Sequence, residues 1–190
     1  MPALSWALIA LVYHLTSRLA YVLYIGLALR RQERTGFLTE RYGPNGGFRR
    51  FRQTAAILMY NDATSFVLLC LASWGTLHLG LERSVVLVAG ALLVIVGMSI
   101  KLWAAATLGG GAYYWQNFFT PDEWDGPSSA GPYQFLKNPM YTVGYLQTYG
   151  FALLTGSLLG LGAALVDHVA ILAFYRLVEK PHFERVRERR

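Results

Sequence analysis

Cysteine occurs once, at Cys70, which excludes an internal disulfide and any cysteine-cluster metal site. Charge is scarce too: 15% of the 190 residues are charged, against ~25% in soluble globular domains. Acidic groups are the scarcer sign, 11 against 17 basic, leaving a formal net charge of +6. Apolar side chains fill the difference, with 54% hydrophobic and 14% aromatic residues. Such a chain buries more apolar surface than its conformational entropy demands, which excludes disorder. The shortage of charge argues against an ordinary soluble domain. Internal repeats and low-complexity tracts are not evident, and the length suits a single domain.

Long apolar runs span residues 3–29, 55–79 and 84–108, and each exceeds the ~20 residues a helix needs to cross ~30 Å of hydrocarbon. A fourth stretch, 140–178, is too long for one crossing and is interrupted by Thr155-Gly156-Ser157. It reads as a tight hairpin of two helices, 140–155 and 157–178. The expected fold is therefore all-α, a polytopic transmembrane bundle of five spans; four is the alternative, because the first hairpin arm is short. The first run has no basic leader and is longer than a signal-peptide core, so it reads as a retained span.

The excess positive charge suits either nucleic acid or anionic lipid, and its placement decides between them. Residues 30–52 hold seven basic side chains and residues 176–190 hold six, thirteen of the 17. Both clusters flank apolar spans, as juxtamembrane segments facing anionic headgroups do. No nucleic-acid partner is expected. Five spans put both clusters on one side, which the positive-inside rule makes cytosolic, with the N-terminus outside and the C-terminus inside. Trp6 and Trp74 then fall near the outer interface and Trp103 near the inner one.

Three segments at the cytosolic level stand out. Gly109-Gly110-Gly111 is either a flexible helix terminus or a backbone open to close approach by a ligand. Asn138-Pro139 reads as an N-cap followed by a first-turn proline, leaving Tyr133, Phe135 and Tyr141 around it unexplained. Glu179, at the exit of the last span, is either a solvated partner of its basic neighbours or a ligand-binding carboxylate. Gly156 and Gly160 form a small-xxx-small pair that lets helices approach closely.

Ionisable groups inside apolar spans are functional candidates by default. Here they are His14, Arg18, Asp62, Lys101, Asp167 and His168. At ~1.5 Å per residue, Arg18, Asp62 and Asp167 lie roughly 14–18 Å from the cytosolic ends of their spans. His14 and Arg18 share one helical face. Arg18 either forms a structural pair with Asp62 or Asp167 or reads a lipid headgroup, and Lys101 is placed to snorkel to the inner interface.

The run Lys137-Asn138-Pro139-Met140-Tyr141-Thr142-Val143-Gly144-Tyr145, with Val178-Glu179-Lys180-Pro181-His182-Phe183 one hairpin later, resembles the integral-membrane phospholipid methyltransferases. The likeness is strongest to the branch that N-methylates phosphatidylethanolamine, and it covers residues 105–186. Isoprenylcysteine carboxyl methyltransferases and sterol reductases of the wider superfamily usually read Arg-His-Pro-x-Tyr, so Asn138 favours the phospholipid branch. The resemblance implies a single membrane domain over 1–190, with 1–104 as N-terminal spans and 105–190 as the cofactor-binding and catalytic half. It also implies S-adenosyl-L-methionine as cofactor, a phospholipid substrate, and residence in a bacterial cytoplasmic membrane or the endoplasmic reticulum.

The family binds its methyl donor through Gly-x-Gly, matched by Gly109 and Gly111, and through a paired Glu. Glu179 matches the first member of that pair, whereas Lys180 stands at the second. Tyr113, Asn138, Pro139, Met140, Tyr141 and Gly144 complete the implied cofactor set. Amine methylation needs a free lone pair on the acceptor, hence a base; Asp167, His168 and His182 are the candidates, with Tyr141 beside the reaction. Arg18, Asp62 and Tyr145 are expected at the lipid headgroup. Methylation of another membrane-partitioning acceptor, such as an isoprenylcysteine carboxylate, and a non-enzymatic lipid-binding role are the alternatives.

Overall fold

A computed structural model describes residues 2–123 and 126–188, with side chains from Ser5 onward. Arg189 and Arg190, the end of the second basic cluster, lie outside the described residues. Among the described residues every regular element is helical. Three long helices come first: α1 Pro2–Thr35, α2 Phe37–Ala72 and α3 Arg83–Tyr113. The hairpin arms are α4 Leu146–Thr155 and α5 Leu158–Phe174. A π-helical turn, Tyr175–Glu179, leads into α6, Lys180–Glu188.

The basic segment after the first run is helical rather than a loop. Gly36, left-handed at φ 58°, is the single residue between α1 and α2. α2 continues past Pro44, which has no N–H to donate, by breaking at Gly43 (φ 71°, ψ 164°). α3 does the same through its glycine triplet, breaking at Gly109 (φ 72°, ψ 167°) and resuming to Tyr113. Both breaks use backbone angles open essentially to glycine alone.

Among the described residues four helices are long and apolar enough to cross a membrane: Ser5–Thr35, Phe37–Ala72, Arg83–Phe118 and Leu158–Glu188. The hairpin is present, but its first arm is only 10 residues, about 15 Å at 1.5 Å per residue. Asn138-Pro139 does not start a helix. The Asn138 carbonyl accepts from the Tyr141 and Thr142 amides, the Pro139 carbonyl from the Gly144 amide, and helix proper begins at Leu146. A Cβ on Gly144 would meet the Pro139 carbonyl at 3.0 Å and Lys101 Cβ at 3.3 Å. That packing holds the chain in turns where a helix was expected.

The hairpin turn docks on the α2–α3 connection, where the Gly75 and Leu77 amides donate to the Thr155 and Gly156 carbonyls. At the opposite end, Arg30 donates to the Leu177 carbonyl and His182 contacts Glu33. The hairpin turn and the α2–α3 connection thus share one end of the bundle, and the last turns of α1 and the start of α6 share the other. Gly156 serves as the left-handed cap of α4 (φ 60°), and a Cβ there would meet Arg83 at 3.2 Å and the Gly75 Cα at 3.6 Å. Gly160 packs closely as well: its Cβ would run into Cys70.

Outward faces of the long helices carry Leu8, Ile9, Val12, Val88, Leu92 and Ile95, all exposed. A belt of this kind on a folded bundle marks a surface covered by lipid. Trp6, Trp74 and Trp103 are exposed as well, as residues of an aromatic belt are.

Candidate functional site

Inside the bundle a single arginine organises the charge. Arg18 on α1 donates from Nε to Asp167 Oδ1 and from a terminal nitrogen to Oδ2, both at 2.8 Å. The same terminal nitrogen lies 2.6 Å from Asp62 Oδ2 on α2. His14, one turn before Arg18, contacts Asp167 at 3.2 Å and Ser65 at 2.9 Å. All of these side chains are buried. Arg18 pairs with both carboxylates, so the two structural pairings expected as alternatives coexist. Asp62 Oδ1 is buried without a hydrogen-bond partner.

This cluster forms one wall of a cavity of about 320 Å³. Seven expected site residues line it: Arg18, Asp62, Tyr113, Met140, Tyr141, Tyr145 and Asp167. Lys101 also lines it instead of reaching away to the interface, and Tyr21, Trp115 and Gln147 join the wall. Met59, Phe66, Val94, Met98 and Phe151 are among its apolar lining residues.

Two of the conspicuous segments meet at Glu179, joined there by Trp115, four residues beyond the glycine triplet. Its Oε1 accepts from Tyr141 Oη at 2.6 Å and from Trp115 Nε1 at 2.5 Å. Glu179 is 6% exposed, so it is no solvated surface carboxylate, and it lies in the π-helical turn, a distortion frequent at functional sites. Trp115 has φ 59°, the sole left-handed non-glycine among the described residues. Burial, then the Glu179 carboxylate, holds the Tyr141 phenol well above its ordinary range, and the same two causes push Tyr133 to about 12. Tyr141 therefore remains a proton donor to Glu179.

His168 stands behind the cavity wall. Its Nε2 donates to the Tyr141 carbonyl at 2.8 Å, its Nδ1 lies 3.1 Å from Tyr149 Oη, and its ring stacks on Tyr145 at 4.7 Å. His182 is elsewhere, in a second pocket of about 200 Å³ with Gln32, Glu33 and Arg185. There it contacts Glu33 at 2.8 Å and stacks on Phe118 at 3.6 Å. Neither histidine lines the main cavity.

The glycines divide. A Cβ at Gly109 or Gly110 would meet nothing within 4 Å, whereas one at Gly111 would collide with Gln116. Asn138, Pro139 and Gly144 shape the turn that presents Met140 and Tyr141 and do not themselves line the cavity. Sequence reasoning missed the Trp115 bond to Glu179 and the presence of Tyr21 and Gln147. Spacing carries no signal for residues that meet only through packing.

The phospholipid methyltransferase family model matches residues 85–189. A phosphatidylethanolamine N-methyltransferase of Eremothecium gossypii is 28% identical over 96% of this chain and 27% of its own length. Proteins of the same name from Coccidioides posadasii and Schizosaccharomyces japonicus are 33% and 31% identical over 71% of this chain, and 14% and 15% of theirs. The chain thus spans about a quarter or less of the length of these relatives. No solved structure matches it.

Proposed function

Because the chain belongs to the phospholipid methyltransferase family, we propose that it transfers a methyl group from S-adenosyl-L-methionine to the amine of phosphatidylethanolamine. The reaction runs at the cytosolic face of a membrane and leads towards phosphatidylcholine. The observation that carries this reading is the meeting of Trp115, Tyr141 and Glu179 beside a cavity whose charged wall holds an unpartnered carboxylate oxygen.

The residues fit the methyl donor. Aromatic faces attract a sulfonium, and Tyr113, Trp115 and Tyr141 line the cavity. Open space at Gly109 and Gly110 leaves room for a ligand against the backbone, and Glu179 suits the cationic amino-acid end. When bound, S-adenosyl-L-methionine supplies an electrophilic methyl carbon on a sulfur that departs as a neutral thioether.

The chain's own residues do the rest. The acceptor arrives as an ammonium with three N–H donors. Asp62 Oδ1 takes one proton and frees the lone pair, while Arg18 holds the other Asp62 oxygen in place. Asp167, with both oxygens bonded to Arg18, serves the network rather than the proton transfer. His168 positions Tyr141 through its carbonyl and Tyr145 by stacking, and His182 buttresses the α1–α6 contact. Tyr145 walls the amine. Holding amine and methyl carbon in line supplies about 7–11 kcal/mol of the barrier. A carboxylate acceptor would bring a third anion to Asp62 and Asp167, which favours an amine.

Radiolabelled methyl transfer by purified protein in nanodiscs tests this. Label is expected in phosphatidylethanolamine and not in a prenylcysteine. Glu179→Gln and Tyr141→Phe should each lower the rate about tenfold or more, since each alters the carboxylate site proposed for the methyl donor, while the buried bond they weaken costs only about 1–3 kcal/mol of stability and leaves a cooperative unfolding transition. Protein that is folded but labels no phosphatidylethanolamine overturns the proposal.

A further inference from the structure

Arg18 cannot serve a lipid phosphate easily, because two carboxylates already occupy it. Lys101 lines the same cavity from α3 and takes part in none of the ion pairs or side-chain hydrogen bonds among the described residues. An ammonium inside a span without an ion-pair or hydrogen-bond partner of its own, sharing the wall with Arg18 and Asp62, is costly, and an anionic ligand group offsets that cost. Two acceptors in the cavity-lining set have the opposite need. Asp62 Oδ1 on α2 and Gln147 Oε1 on α4 are both buried without a partner.

We propose that the cavity reads a zwitterionic headgroup, with Lys101 taking the phosphodiester and Asp62 Oδ1 together with Gln147 Oε1 taking the N–H groups of the amine. This rests on the amine-methylation reading and adds two residues, Lys101 and Gln147, that set its specificity. Among the Lys, Arg, Asp and Glu side chains of the cavity wall, Arg18 and Lys101 balance Asp62 and Asp167. A zwitterion preserves that balance; an anionic headgroup does not.

The amine end counts donors. Before any proton is lost, an ammonium has three N–H groups, a monomethyl ammonium two and a dimethyl ammonium one. The two acceptors are both satisfied by the first and second of these, whereas the dimethyl form leaves one buried oxygen unpartnered, which a site built for hydrogen bonds resists strongly. The dimethyl lipid is therefore the disfavoured ligand.

Binding in the absence of methyl donor tests this, read as quenching of tryptophan fluorescence by ligands with dibrominated chains. The ligands are phosphatidylethanolamine, its N,N-dimethyl derivative, and dibromo-octadecylamine, which has the amine but no phosphate. Lys101→Met should weaken phosphatidylethanolamine binding about tenfold and change the alkylamine less than about twofold. Lys101→Arg should restore phosphatidylethanolamine to within about threefold, since the charge is kept. Gln147→Leu, on another helix, should narrow the preference for phosphatidylethanolamine over the dimethyl lipid by about fivefold or more.

Equal weakening of lipid and alkylamine in Lys101→Met, or an unchanged preference in Gln147→Leu, overturns the proposal. Selective binding by wild-type protein that methylates nothing would defeat the enzymatic reading and leave the headgroup site standing. Methyl transfer that is insensitive to Lys101 and Gln147 would do the reverse.

Discussion

Arg18 shows how a charge survives at this depth. It bonds two carboxylates from two other helices, and its guanidinium lies 5.3 Å from the Tyr21 ring centroid. Removing one partner of a buried ion set costs far more than the set contributes. Arg18→Met should destabilise the protein by about 3–5 kcal/mol, seen as a lower thermal unfolding midpoint in detergent. Adding Asp62→Asn and Asp167→Asn to that variant should recover most of the loss. Trp115 illustrates a different economy. A left-handed tryptophan costs about 1–3 kcal/mol, sustained here by its bond to Glu179 and by edge contacts with Phe51 and Phe174.

Helices in this bundle meet by way of glycine. On α3 and α4, a Cβ at Gly150 would lie 2.6 Å from the Gly90 carbonyl, and one at Gly97 would strike the Gln147 backbone. Without a hydrophobic drive between helices in lipid, such backbone approach provides the packing. It also sets where Gln147 enters the cavity. Gly150→Leu should therefore abolish a cooperative thermal transition and methyl transfer together. Gly162→Ala, where a Cβ meets nothing within 4 Å, should leave the midpoint unchanged or raise it slightly, as helix propensity favours alanine by about 1 kcal/mol. The short α4 follows from the same contacts. Its expected first turns are consumed by the bends at residues 138–145 that seat Gly144 on Lys101.

Across the whole bundle, the basic clusters and the Glu179 site share one end, and the α2–α3 connection and hairpin turn share the other. The charge bias predicts that the first end faces the cytosol. Cys70 is fully buried, so the natural protein should resist a membrane-impermeant maleimide, and new cysteines report orientation cleanly. Leu81→Cys should label in intact cells, and Arg187→Cys only after permeabilisation. The opposite pattern would invert the topology and move the proposed reaction to the other face.

Composition and hydropathy were enough for an all-helical membrane bundle, because solvation by lipid acts on every residue of a span at once and leaves a signal in the chain. Local motifs were enough to single out Glu179 and Tyr141, which the fold brings into a hydrogen bond. Asp62 and Arg18 were legible as anomalies, charges where hydrocarbon forbids them. The simultaneous pairing of Arg18 with both carboxylates, the Trp115–Glu179 contact, the separation of His182 from the cavity, and the presence of Lys101 and Gln147 in one cavity were not legible. Each depends on side chains from different helices arriving at one point, and such meetings are made by packing, which leaves no periodic mark along a single strand of sequence.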